Sequence, residues 1–538
     1  MTMGATTGAL VARTTAGDVA GVREGALTVF RGVPYARPPL GELRFSSPRM
    51  PVPWTGVRDA TRYAPAFLQS GAAGPGSSED ALYANVWTPG TDRPRPVLVY
   101  IHGGGWQVGA GSVPTFHGHR LAERGDLVVV NFNYRLGVFG WGMHEELADP
   151  ATGLCANWGL QDQIAALHWV RENIAAFGGD PDNITLCGTS AGGTTAWQLA
   201  LLPEFHGTVR RLIAISAAHP WQPAGSLTPA DAHTVYGTLA ADLGTTVPGL
   251  REVPAEALHQ AWLRFFSAAP AARPVDSGRE YRGPVADGGV ITAFPWQLPT
   301  PAVPLMTVFN RTEGSFFTDP HSVSFPPAPP VPTDHAELRD RVREVLLKGA
   351  VRVDDALVDA CLSAYREAAR AERLPHDPRT LWTEIWGDGL FRYQIVRMAE
   401  RHARTRGASP QYVMEFAHPV RPPHFGTPHD ATSKFLFGSH AEPGLVDQFG
   451  DGPDERLVSR TFMDLVASFA RDGAPAAGPV PHWPVFDPDR ETTLILGGPG
   501  TARVAALPKL RQLGFWDRAG WVPSPRPADP AEHTPDNH

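Results

Sequence analysis

The chain has 538 residues, a formal charge of −8 at neutral pH and 42% hydrophobic residues. That is enough to bury a large core, and more than one compact domain usually holds unless insertions decorate a single catalytic unit. Basic residues are not clustered, which argues against a nucleic-acid or anionic-membrane surface and for a small-molecule substrate. No run approaches the about 20 apolar residues of a membrane span, and the N-terminus lacks a basic start followed by an apolar signal core, so the expected location is cytoplasmic.

The three cysteines, Cys155, Cys187 and Cys361, are expected to be free core thiols and not a disulfide framework. Lysine is confined to Lys348, Lys434 and Lys509 while arginine, alanine and proline abound, a bias typical of proteins from GC-rich bacterial genomes.

In chain order, residues 8–65 alternate apolar segments with Gly and Pro, and the density of both from Phe30 to Phe45 predicts an extended surface wrap. Residues 97–101 and 127–132 read as strands buried on both faces of a mostly parallel sheet. Between them lies His102-Gly103-Gly104-Gly105-Trp106, where three glycines let backbone N–H groups approach a ligand with no Cβ in the way, as an anion-stabilising loop requires. Asn157 to Gln163 opens an amphipathic helix that continues through Ile164, Leu167, Ile174 and Phe177.

A short buried strand is predicted at 184–187 and a helix at 191–202, with Gly188-Thr189-Ser190-Ala191-Gly192 between them. The glycines allow a turn too sharp for side chains, so Ser190 projects at a helix N-terminus where a base can reach it. Strands at 211–216, 305–310, 411–417 and 492–496 follow, with helices at 338–347, 357–373, 381–403 and 455–471 and an exposed Pro-rich loop at 319–334. The reading is one catalytic domain over 1–522, in which 219–300 and 319–403 are helical insertions covering the pocket, followed by a disordered tail at 523–538.

The block from Phe177 to Gly193 resembles the signature of the type B carboxylesterase and cholinesterase-like family of α/β-hydrolases, and within it the bacterial, para-nitrobenzyl-esterase-like carboxylesterases. Phe30 to Phe45 is similar to the family's opening block and Glu79 to Pro89 to its second signature. The resemblance implies an α/β-hydrolase fold, a large mostly parallel sheet flanked by helices, and a serine esterase that needs no metal or cofactor. Ser190 would be the nucleophile. Gly104, Gly105 and Ala191 would hold the oxyanion, each donor worth roughly 3 to 4 kcal/mol at the transition state. The acid would be Glu313, in Arg311-Thr312-Glu313-Gly314-Ser315-Phe316-Phe317, and the base His429, nine residues before the Gly438 that ends Phe435-Leu436-Phe437-Gly438. His418, His424 and His440 do not fit that spacing. Asp388 matches a structural aspartate of the family and is the fallback acid, and Ser216 takes a supporting place behind the triad.

The chain departs from the family pattern in several places. It has no cysteine near Phe67 or at Ala81, where the family closes a loop by a disulfide. Asp430 and Thr432 stand where Gly and Glu are usual, and Thr189 where Glu usually precedes the nucleophile. The loop from Phe67 to Ala81 contains no Trp, so the family's cation-stacking aromatic is missing and a cholinesterase proper is disfavoured. Trp106, Trp221, Phe316 and Phe317 are candidate pocket walls, each of which could equally be core. Two alternatives stand beside the esterase: a non-catalytic cholinesterase-like binding protein, disfavoured because every triad residue is present, and a hydrolase of a specialised amide, lactone or polyketide ester.

Overall fold

The computed structural model describes residues 10–71, 76–217, 228–268, 283–293, 297–321, 330–347, 353–405, 407–490, 492–498 and 500–520. Trp221 and the C-terminal segment 523–538 lie outside them. A 13-stranded sheet organises the described residues. In chain order its strands are β1 (Leu10–Thr14), β2 (Gly17–Glu24), β3 (Leu27–Pro34), β4 (Val57–Asp59), β5 (Tyr83–Thr88), β6 (Arg95–Ile101), β7 (Val128–Phe132), β8 (Gly179–Thr189), β9 (Val209–Ile215), β10 (Leu305–Asn310), β11 (Gln411–Phe416), β12 (Thr492–Leu496) and β13 (Ala502–Ala506). They lie side by side as β1-β2-β3-β5-β7-β6-β8-β9-β10-β11-β12-β13, with β4 on the flank of β2. The run from β7 through β12 is parallel throughout, and the pairs outside it are antiparallel except for β2 with β4.

The central strands are apolar on both faces because each face is covered. Val97, Val99 and Ile101 of β6 join one core cluster while Leu98 and Tyr100 join the other. In β9 the same alternation splits Leu212 and Ala214 from Ile213 and Ile215. This two-residue period places successive side chains in two separate cores. The covering helices include α1 (Trp158–Asn173), α2 (Ala191–Leu201) and α3 (Pro453–Asp472). Among the described residues no helix is long and apolar enough to cross a membrane.

Three expectations need correction. The segment read as a surface wrap contains β3, and Phe30, Val33, Tyr35 and Phe45 are buried; its Gly and Pro residues mask a strand whose apolar side chains enter the core. The helix expected at 381–403 is divided into Pro378–Gly387 and Tyr393–Arg404 by a π-helical turn, Asp388–Arg392, a form associated with functional sites. The loop expected to be exposed from residue 319 begins with a buried carboxylate, Asp319.

Cys187 and Cys361 are buried, Cys155 is half-buried, and none is bridged. Burial pushes each thiol above its ordinary range. Denatured protein should therefore titrate about three thiols and reductant should leave the melting temperature unchanged; a reductant-sensitive melting curve would contradict this.

Candidate active site

Ser190 stands between β8 and α2 at φ 57° and ψ −126°, a sparsely populated backbone region that costs about 1–3 kcal/mol and survives only where the surroundings impose it. The surroundings do impose it. The Ser190 N–H donates to the Ile215 carbonyl at 2.8 Å. A Cβ on Gly188 would come within 2.2 Å of the Gly192 carbonyl oxygen, and one on Gly192 within 2.2 Å of the Ile101 carbonyl oxygen. Only glycine lets β8 turn into α2 this tightly. Ser190 remains partly exposed at the positive end of α2, where Ala191 is the first helical residue.

The glycine loop after β6 runs against this corner: a Cβ on Gly103 would lie 3.0 Å from the Ser190 Cβ. Gly104 and Gly105 have φ of 109° and 59°, and a Cβ on Gly104 would collide with the Val108 carbonyl oxygen at 2.1 Å. No backbone acceptor among the described residues takes the N–H of Gly104 or Gly105. His102 braces the loop from below. Its Nδ1–H donates to the Gly103 carbonyl at 2.8 Å, its ring stacks on Tyr134 at 4.4 Å, and the Tyr134 hydroxyl donates to its carbonyl at 2.8 Å. Burial lowers the His102 pKa to about 4, so the ring is neutral near pH 7.

Glu313 and His429 meet at 2.7 Å, with Nδ1 donating to Oε2. The other carboxylate oxygen, Oε1, accepts from the Asn310 backbone N–H at 2.6 Å and from the Ser216 hydroxyl at 2.8 Å. Asn310 Nδ2 donates to the Ser216 hydroxyl and to the His429 carbonyl, both at 3.0 Å. The acid is thus gripped from the C-terminal ends of β9 and β10, and the base is tied by backbone to the same residue. With Nδ1 occupied, the neutral imidazole carries its lone pair on Nε2, which is buried and makes no hydrogen bond.

The fallback acid Asp388 lies elsewhere: it accepts from Arg392, Lys509 and Tyr365. Burial alone would lower the Arg392 pKa, but Glu415 and Asp388 raise it above its ordinary range and keep the guanidinium charged. Its Nη2 donates to the carbonyls of Asn310 and Arg311, which steadies the turn leading to Glu313.

Of the candidate pocket walls, Phe316 and Phe317 are half-buried, with ring centroids 6.1 and 5.8 Å from that of His429. Trp106 is only 1% exposed and packs on Trp141 in the core. Thr189 accepts from the Tyr100 hydroxyl at 3.1 Å and the Ser433 hydroxyl at 3.5 Å. Sequence reasoning missed Phe391, whose ring lies 4.1 Å from the His429 ring and stacks with Phe317, and it missed Asn310. Both sit inside or beside blocks already singled out, Phe391 three residues after Asp388 and Asn310 at the end of the strand preceding Glu313.

The pattern of the Carboxylesterase family matches residues 8–516. A phenmedipham hydrolase of Pseudarthrobacter oxydans is 34% identical over 93% of this chain and 97% of its own length. A para-nitrobenzyl esterase of Bacillus subtilis is 32% identical over 89% and 93%. A solved PNB esterase structure superposes with a TM-score of 0.76 at 30% identity, covering 94% of this chain and all of the other. The chain belongs to the carboxylesterase family: it has the α/β-hydrolase fold and is a carboxylic ester hydrolase.

Proposed function

We propose that Ser190, His429 and Glu313 form the catalytic triad of a serine esterase acting on small neutral esters through an acyl-enzyme. His429 Nε2 takes the proton as Ser190 Oγ attacks the ester carbonyl, and Glu313 stabilises the resulting imidazolium. The N–H groups of Gly104, Gly105 and Ala191 receive the oxyanion. His429 then protonates the departing alkoxide, and water repeats the sequence on the acyl-serine. The observation that carries this reading is the Glu313–His429 contact at 2.7 Å, in which the free ring nitrogen is left for the nucleophile. Its test is a pre-steady-state burst of about one p-nitrophenol per enzyme, with the acyl mass found on the peptide containing Ser190. No burst and no adduct, at a turnover set by chemistry after acylation, would defeat it. A chain-length series of p-nitrophenyl esters against matching anilides separates ester from amide preference. The unbridged cysteines and the arginine bias support a cytoplasmic bacterial setting.

Thr189 bears on specificity. A carboxylate directly before the nucleophile would favour the protonated form of His429, and the base must be neutral to accept a proton. Thr189→Glu should therefore move the acidic limb of kcat/KM up by about one pH unit and favour cationic esters. A limb that stays in place with a neutral ester, in a folded and active variant, would show that position 189 is not coupled to the base.

A further inference from the structure

A second histidine–carboxylate pair lies beside the first. His424 Nδ1 donates to Asp319 Oδ2 at 2.7 Å. The Asp319 side chain is 2% exposed and that of His424 17%, and Asp319 Oδ1 accepts from the His321 N–H at 2.9 Å. Neither residue belongs to the proposed triad, yet each sits on a segment that carries one of its members. Asp319 follows the short helix Ser315–Thr318, which starts two residues after Glu313 and carries Phe316 and Phe317 against the His429 ring. His424 lies on the connection between β11 and His429.

The two segments run in close contact between the two pairs. The Thr312 N–H donates to the Thr427 carbonyl at 3.2 Å. A Cβ on Gly426 would come within 3.0 Å of Ser315 Oγ and of Thr312 side-chain carbons, and the φ of 76° at Gly426 independently favours glycine. Residues 313–319 and 424–429 are thus pinned at both ends by a histidine donating Nδ1–H to a buried carboxylate. The Asn310 contact with the His429 carbonyl holds the catalytic end, and Asp319 with His424 holds the far end.

We propose that Asp319 and His424 are positioning residues that hold the Glu313–His429 pair in register. This rests on the triad assignment above. During turnover His429 becomes an imidazolium twice per cycle while keeping its bond to Glu313, and its Nε2 must swing between serine, leaving group and water without losing that bond. A clamp at the far end of both segments limits their sliding. Losing it should reduce the rate of the chemical steps and not substrate binding, since the clamp acts through the Glu313–His429 contact.

The test uses the full chain and a neutral p-nitrophenyl ester. His424→Ala should lower kcat roughly tenfold with KM changed less than about twofold, the scale expected when catalytic groups are slightly misplaced. His424→Asn, which can place an N–H where Nδ1 stands, should recover most of the loss, and Asp319→Asn gives the same comparison if His424→Ala is not recovered folded. In a Glu313→Gln background the added His424→Ala change should cost less than about twofold, because the Nδ1–H donation it keeps in register has already given way to the unproductive tautomer. An unchanged kcat in both His424→Ala and Asp319→Asn, or an equal tenfold fall in the Glu313→Gln background, would overturn the proposal. Loss of turnover in His424→Ala as complete as in His429→Ala would instead overturn the choice of His429 as base.

Discussion

Ser190→Ala should fold as the wild type does and lose esterase turnover by roughly five to six orders of magnitude, the scale seen when a serine nucleophile that acts as a unit with its base is removed. The folded state should be almost indifferent to the change. The strain at φ 57° is borne by the backbone and the Cβ, which alanine keeps, and among the described residues no hydrogen bond fixes the Ser190 hydroxyl. His429→Ala should fall to a similar level and the double variant little further, since neither residue works without the other. The measurement is kcat on a p-nitrophenyl ester, with melting temperature as the control for folding. Turnover within a hundredfold of wild type in a folded Ser190→Ala protein would mean that another group attacks the ester.

The parts of the fold legible in the sequence are those where local pattern and tertiary environment agree. Strands β7 and β10 are buried along their whole length, and β6, β8 and β9 over the apolar runs that mark them in the sequence; β10 and β12 have the bounds their residues predict. The glycines around Ser190 are legible because the close approaches at Gly188 and Gly192 admit nothing else. By contrast β13, half-exposed at the sheet edge, is mostly alanine, interrupted by Arg503, and lacks the β-branched run of the central strands, and the π-helical turn at Asp388–Arg392 interrupts a continuous helical pattern where Asp388 and Arg392 join a buried ion cluster.

The candidate site divides in the same way. Ser190, Glu313 and His429 stand in local blocks with recognisable spacing. The groups that grip Glu313 do not, because Ser216 and Asn310 are 94 residues apart and become neighbours only through the parallel register that sets Ile215 beside Val308. His424 and Asp319 are hidden for the same reason. Their blocks look like an ordinary turn and a Pro-rich loop until two segments 105 residues apart are laid side by side.

That grip makes Glu313→Gln a sharper test of the acid than a simple truncation. The Asn310 backbone N–H points at Oε1 from a fixed direction at 2.6 Å, and the Ser216 hydroxyl donates to the same oxygen while accepting from Asn310 Nδ2. A glutamine must place its carbonyl oxygen there, since an NH₂ group would face a backbone donor in a buried site. Its amide nitrogen then occupies the position of Oε2, 2.7 Å from His429 Nδ1, and two donors cannot share that contact. The imidazole relieves the conflict by accepting at Nδ1 and carrying its proton on Nε2, the nitrogen that must be empty to take the serine proton. Shape is preserved while the base is held in the wrong tautomer, so kcat should fall by about 10⁴ with little change in KM or melting temperature, as for the equivalent carboxylate-to-amide change in another triad hydrolase. Glu313→Asp, which retracts the carboxylate but cannot impose the wrong tautomer, should retain more activity than Glu313→Gln. Equal activity of Glu313→Gln and wild type, or a Glu313→Asp protein less active than Glu313→Gln, would remove Glu313 from the role of acid.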